Sequence, residues 1–225
     1  MTRNGWVRVD CHLHTALSGD AVTTIDQLAE RVEQEHLDVV FITDHNVTAA
    51  AVAAAERGIG ARVLVGEEVR TRDGDVIGLF LTERIPYVLP LQEVTGLIRA
   101  QGGLIYLPHP FDAGRSSLGK VAEQLCAAGR ADIVEVFNAK IEVPESVLNT
   151  DKDPNWQAAN LAVRYDLPGA AGSDAHDPEG IGAAYLEMPD FDGPADFLAA
   201  LREATITGDY RPHAPRYARR PAAPD

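Results

Sequence analysis

Short apolar runs alternate with longer stretches of helical spacing along almost the whole of this 225-residue chain. The pattern predicts a strand over 7–12, then a helix over 24–35, where Ile25, Leu28, Ala29 and Val32 recur at helical intervals. Thr23 or Thr24 is the expected N-cap, with an acid or amide three residues on. Residues 37–43 are almost continuously apolar, as suits a strand covered on both faces. An alanine-rich helix over 48–57 should stop at Gly58 and Gly60. Two further strands, 62–65 and 76–81, flank the turn signal Asp73-Gly74, which suggests a hairpin.

The same reading predicts helices over 91–100, 118–128 and 154–165, and strands over 104–107, 133–137 and 169–172. One more strand over 181–188 and a closing helix over 194–203 follow, and 211–225 is rich in Pro, Ala and Arg, as in a loosely held tail. There is no internal repeat and no dividing linker, so 1–210 is expected to be a single domain. Repeated β-then-α units imply an α/β protein with a parallel sheet, and closure into a TIM-like barrel is the simplest arrangement at this length. In such barrels the loops at the C-terminal ends of the strands build the active site.

Composition narrows the function. A formal net charge of −14 argues against a protein that coats nucleic acid or an anionic membrane. The two cysteines, Cys11 and Cys126, lie far apart and form no CxxC pair, so a reducing cytoplasm suits the chain. No signal segment and no membrane-length apolar run is visible.

Five segments carry the candidate chemistry: His12-Leu13-His14 with Asp20, Asp44-His45, Gly66-Glu67-Glu68, Pro108-His109-Pro110 and Gly172-Ser173-Asp174-Ala175-His176. They contain five of the seven histidines, and each falls where a strand pattern stops. His12 and His14 stand two apart on a strand and should project to one face as a two-imidazole clamp. Asp174 and His176 have the same spacing. Adjacent acids on an extended chain face opposite ways, so only one of Glu67 and Glu68 should point inward. The flanking prolines should hold His109 rigidly. His36 reads as a helix-end residue and His213 as part of the tail. Asp44 could cap a helix or orient an imidazole.

The ordered set of Asp10-Cys11-His12-Leu13-His14-Thr15, Ser18-Gly19-Asp20, Thr43-Asp44-His45-Asn46, Gly66-Glu67-Glu68, His109-Pro110, Glu135-Val136-Phe137-Asn138 and Gly172-Ser173-Asp174-Ala175-His176 resembles the PHP (polymerase and histidinol phosphatase) metal-dependent phosphoesterases. The likeness is closest to small stand-alone members and spans roughly residues 7–190. It implies a distorted (β/α)7 barrel with two to three divalent ions (Zn, Mn or Fe) at the C-terminal strand ends. His12, His14, Glu68 and Asp174 would hold the first ion. Glu68 would bridge to a second, completed by His109 and Glu135, with Asn138 as an alternative to Glu135. Asp20, His45 and His176 would hold the third. Glu68, Asp174 and His176 would carry the catalysis, in which a metal-bridging hydroxide attacks a phosphoester.

Three divalent ions outweigh the four carboxylates of that set, so an acidic chain could still attract a phosphate. Arg115 and Lys140 are the candidates to grip its oxygens. The expected partner is a small phosphorylated substrate or a short oligonucleotide. An amidohydrolase-type C–N hydrolase also begins from a strand-borne HxH, but that class uses a mid-chain lysine, and no lysine lies between His14 and His109. A metal-binding domain without turnover is the third reading. The stretch 141–154 is the expected specificity loop.

Overall fold

The computed structural model describes residues 5–211. Of the expected tail over 211–225 only Arg211 falls within them, and His213 lies outside. Nine strands are present among the described residues: β1 (Trp6–Leu13), β2 (Val39–Ile42), β3 (Arg62–Arg70), β4 (Asp75–Leu79), β5 (Leu104–Leu107), β6 (Ile133–Asn138), β7 (Gly169–Gly172), β8 (Ala184–Pro189) and β9 (Thr205–Gly208). Six α-helices accompany them: α1 (Ile25–Gln34), α2 (Ala49–Arg57), α3 (Leu91–Ala100), α4 (Lys120–Ala127), α5 (Pro154–Arg164) and α6 (Gly193–Leu201).

The strands form one sheet in the order β7-β6-β5-β4-β3-β2-β1-β8-β9. It curls into a nearly closed barrel because β1 divides one edge between two partners. Its first half, from Trp6 to Val9, pairs antiparallel with β8. Beyond that, the Asp174 N–H donates to the His12 carbonyl at 2.7 Å and the His14 N–H to the Ala175 carbonyl at 3.0 Å. The chain leaving β7 is thereby fastened to the end of β1, where the histidines are.

The sheet is mixed, not parallel throughout. Only the turn between Arg70 and Asp75 joins β3 to β4, which leaves no room for a crossover, so the two pair antiparallel. β4 then pairs antiparallel with β5, and β8 and β9 are antiparallel as well. The hairpin also lengthens β3, so Glu67 and Glu68 lie within the strand and not at its end. β9, a short Thr-Ile-Thr-Gly strand exposed along its length, carries no periodic signal and was not foreseen from the sequence.

Local chemistry accounts for the helices. Thr24 caps α1, accepting from the Gln27 N–H while the Gln27 side chain accepts from Thr24 N–H. Asp153 caps α5, with Pro154 at its first position. Inside the barrel, Val9, Phe41, Ile77, Tyr106 and Leu186 form an apolar floor. Outside it, α1 and α2 cover β1 and β2, and α3, α4 and α5 cover the other wall. Val39 and Phe41 belong to the inner cluster whereas Val40 and Ile42 belong to an outer one, so both faces of β2 are covered, as its unbroken apolar run implied.

Candidate metal centre

His12 and His14 emerge from β1 fully buried, with their Nε2 atoms 3.0 Å apart. The expected shared face is therefore present. Each outer ring nitrogen is engaged, His12 Nδ1 with Glu135 Oε1 at 2.9 Å and His14 Nδ1 with Ser18 Oγ at 3.0 Å. Asp10 ties this strand end to the one beside it, accepting from the N–H groups of His12 (3.2 Å) and Ser173 (3.1 Å). Burial raises the Asp10 pKa to about 6.

Glu68 is the hub. Its Oε2 lies 3.4 Å from His12 Nε2, 3.3 Å from His14 Nε2 and 3.2 Å from His45 Nδ1. Its Oε1 faces His109 Nε2 at 3.1 Å. Burial disfavours a charge here, but the surrounding imidazoles, His45 foremost, hold the carboxyl well below its ordinary range. The Ser117 hydroxyl donates to the His109 carbonyl at 2.7 Å and so receives the His109 Nδ1–H at 3.1 Å. That tautomer aims the Nε2 lone pair of His109 at a carboxylate oxygen, an arrangement that calls for a cation between them. Burial lowers the His109 pKa, in keeping with a neutral ring.

Asp174 and His176 also converge, although not by strand alternation. Asp174 has φ +50°, a left-handed turn, and His176 Nδ1–H donates to the Asp174 carbonyl at 2.9 Å. Asp174 Oδ1 accepts no hydrogen bond and lies 3.7 Å from His12 Nε2 and 3.4 Å from His14 Nε2. Oδ2 accepts from Asn138 Nδ2 at 2.9 Å and from Arg115. Asp20 completes the far side, 3.4 Å from His45 Nε2 and 3.7 Å from His176 Nε2. Burial holds both His14 and His176 well below the ordinary imidazole pKa, so both rings are neutral.

Glu135 is brought to the cluster, but behind His12. Its Oε1 accepts from His12 Nδ1 and from the Tyr106 hydroxyl at 2.8 Å, and its Oε2 from His109 N–H at 2.6 Å and Asn138 Nδ2 at 2.9 Å. Four donors occupy its two oxygens. Asn138 accordingly joins Glu135 to Asp174 and does not itself face the imidazoles. Glu67 does point away from Glu68, and it is buried. It accepts from the Ile85 N–H at 2.7 Å, and burial raises its pKa to about 7. Asp44 touches no imidazole. Both its oxygens accept from Thr15, N–H and hydroxyl each at 2.6 Å, fixing the turn that carries Ser18 and Asp20.

Ser117, Tyr106, Arg70 and Asp75 stand outside the motif series, and Ser18 enters it only beside Asp20. Hydroxyl partners of ring nitrogens have no fixed spacing, since Ser18 follows His14 by four residues and Ser117 follows His109 by eight. Asp75 lies within ligand reach of His45 and Glu68, but it pairs with Arg70 through both oxygens. For Arg70 a signal existed, because it stands two residues after Glu68 on the same strand.

The inward nitrogen and oxygen atoms form overlapping groups of three, including His12, His14, Glu68 and His14, His45, His176, with atoms within 4.8 Å of one another. Lone pairs and carboxylate oxygens packed this closely in a buried site fit divalent cations. The cluster opens into a cavity of about 360 Å³, whose walls include Arg115 and Lys140. A larger cavity, of about 950 Å³, opens elsewhere against Trp6 and His36 and contains none of these residues.

Residues 10–130 match the sequence profile of the PHP domain. The chain belongs to the PHP family. Residues 152–206 match the PHP-associated profile that accompanies it. An uncharacterized protein of Methanocaldococcus jannaschii is 36% identical over 209 residues, covering 88% of this chain and 81% of its own. Among solved structures, a two-domain protein of Bacteroides vulgatus containing a predicted PHP-like metal-dependent phosphoesterase superposes with a TM-score of 0.73. It is 15% identical and is covered over 93% of this chain and 67% of that one. An amidohydrolase from Chromobacterium violaceum with bound sulfate superposes with a TM-score of 0.57 at 19% identity, covering 77% of this chain and 89% of that one. These likenesses agree with the barrel. PHP membership and the His, Asp and Glu cluster together mark the site as one for divalent metals. No described helix is long and apolar enough to cross a membrane.

Proposed function

We propose that this PHP protein hydrolyses a phosphomonoester or phosphodiester of a nucleotide, short oligonucleotide or small phosphorylated metabolite. The observation that carries the reading is the convergence of His12 Nε2, His14 Nε2, Glu68 Oε2 and Asp174 Oδ1 in one buried spot. His12, His14, Glu68 and Asp174 would hold one divalent ion, Asp20, His45 and His176 another, and Glu68 would reach from these toward His109. Bound there, the ions would neutralise phosphate charge and lower the pKa of a water molecule.

The chain supplies the rest. Glu135 acts through His12, fixing its tautomer and ring plane, and is not a ligand. Asn138 holds Glu135 and Asp174 at a set separation with the two hydrogens of one amide. Arg115 donates to Asp174 and, at 3.0 Å, to the Lys140 carbonyl, so the two cationic side chains share one wall of the cavity. From that wall they would meet the non-bridging oxygens of a substrate. The absence of any lysine between His14 and His109 weighs against an amidohydrolase-type site. Two buried free thiols fit a reducing, cytoplasmic setting.

The mixed donors suit Zn, Mn or Fe. Elemental analysis of purified protein would give metal identity and number. Assay with added Mn against aryl phosphates, nucleotides and short oligonucleotides would give the ester class. Full metal-dependent activity in both His12→Ala and Glu68→Gln would refute the reading.

A further inference from the structure

Arg70 lines the same cavity as the cluster without belonging to it. Residues two apart on a strand project to one face, so Arg70 stands on the Glu68 face of β3, one pleat repeat or about 7 Å further along. Its backbone is pinned by a 2.8 Å hydrogen bond from its N–H to Asn46 Oδ1, the residue after His45. Its side chain is pinned as well. Asp75, its register partner on β4, accepts from Nε with one oxygen and from Nη2, at 3.3 Å, with the other.

The pair is graded in exposure, with 4% of the Asp75 side chain accessible and 33% of Arg70. Asp75 thus grips one edge of the guanidinium from below. Among the described residues Nη1 makes no hydrogen bond, and a third of the Arg70 side chain is accessible. A guanidinium already fixed along one edge loses little rotamer freedom when an anion meets the other. The Asp75 N–H donates to the Ser116 carbonyl, next to Arg115, so the two arginines flank one short loop on the cavity wall. Arg115 and Lys140 already serve the end of the cavity nearest Asp174. A third oriented cation exceeds what one phosphate on the metals requires.

We infer that Arg70 binds a second phosphate of the substrate, beside the phosphate that is hydrolysed. The inference rests on the phosphoesterase reading above. A terminal phosphate and a neighbouring internucleotide phosphate present the same chemistry to Arg70.

The test is calorimetric binding of butylphosphonate and butane-1,4-bisphosphonate, neither hydrolysable, to the Mn-loaded protein at fixed ionic strength. The wild-type protein is expected to bind the bisphosphonate tighter by about 10–100-fold, the range of one charge-assisted contact. Arg70→Gln should reduce that ratio to within a few-fold of unity. Arg70→Lys, which keeps a charge against Asp75 should the first variant fail to fold, should retain part of it. A wild-type ratio near one with both ligands bound overturns the role of Arg70 and leaves the phosphoesterase reading standing, as does a ratio unchanged in a folded variant. No binding of either phosphonate removes both. Turnover of a nucleoside bisphosphate and of a dinucleotide then separates the sources, the true class being the one whose kcat/KM falls further in Arg70→Gln.

Discussion

The Nε2 atoms of His12 and His14 face each other at 3.0 Å inside a fully buried pocket. Two nitrogen lone pairs cannot meet so closely, so without metal a proton must lie between them. Burial opposes a charge on His12, but Glu135 and Glu68 raise its pKa to about 9, while burial keeps His14 neutral. That proton occupies the place of a cation.

Metal uptake should therefore displace it. In the metal-free protein His12 is protonated below about pH 9, and the bound form needs its Nε2 lone pair. Apparent metal affinity should rise about tenfold per pH unit toward pH 9 and flatten beyond it. The same proton stabilises the metal-free fold. Because the folded pKa lies above the ordinary 6.5, that contribution is complete below pH 6.5 and is lost as pH rises through about 9. Titrations near neutral pH in buffers of different ionisation enthalpy should report about one proton released per cluster filled. Zero release would contradict the assignment.

Glu135 and Glu68 should separate cleanly on mutation. Glu135→Gln leaves every inward donor in place but weakens the acceptor behind His12, so metal affinity should fall by about 10–100-fold with the metal-to-protein ratio preserved at saturation. Glu68→Gln removes the hub charge. Metal should be lost even at saturation, with activity reduced on the order of 10³-fold or more. Equal losses of stoichiometry in the two variants would return Glu135 to the ligand set.

A methyl group at Gly172 should cripple the centre from behind. The end of β7 passes so close to β1 that a Cβ at Gly172 would lie 2.3 Å from His12 Cβ and 2.8 Å from Glu135 Oε1. Neither neighbour can retreat, since one is in the strand and the other takes four hydrogen bonds. Gly172→Ala should cost about 1–3 kcal/mol or more and lower metal content in parallel. Thermal melts of metal-free and loaded protein would check it; an unchanged melting temperature with full metal content would mean the strands yield freely.

What the sequence revealed and what it hid divide along a physical line. Strand parity found the His12 and His14 pair and the single inward glutamate, because those relationships are set by neighbours along the chain. Alternation of apolar runs likewise found most strands and helices. Parity gave the right answer at Asp174 and His176 for the wrong reason, since a left-handed residue and not a strand brings them together. The hydrogen-bond partners of Glu135, Asn138 and Asp44 were hidden, because they come from segments distant in the chain or from side chains without a periodic signal. The antiparallel pairing of β3 and β4 was legible in the Asp73-Gly74 turn signal, which suggested a hairpin. The partnership of β1 with both β8 and the end of β7 was not, because it depends on how the barrel closes.

Asn138 offers the sharpest remaining test of the support behind the cluster. Its amide nitrogen donates to Glu135 and Asp174 at 2.9 Å each, and its carbonyl oxygen accepts from the Lys140 N–H at 3.0 Å. Asn138→Asp changes the shape little but replaces the shared donor with a third buried carboxylate. Two hydrogen bonds to charged acceptors would become two like-charge contacts. The metal-free protein should lose about 2–4 kcal/mol at neutral pH. The loss should shrink as the pH falls and the added acid is protonated, because the neutral carboxylic acid can again donate to one of its neighbours. Saturating metal should recover part of the deficit through Asp174, since any ion that binds only the folded state stabilises it. Urea melts at two pH values, with and without a chelator, would resolve these contributions. A deficit independent of pH would show that the amide acts through packing alone.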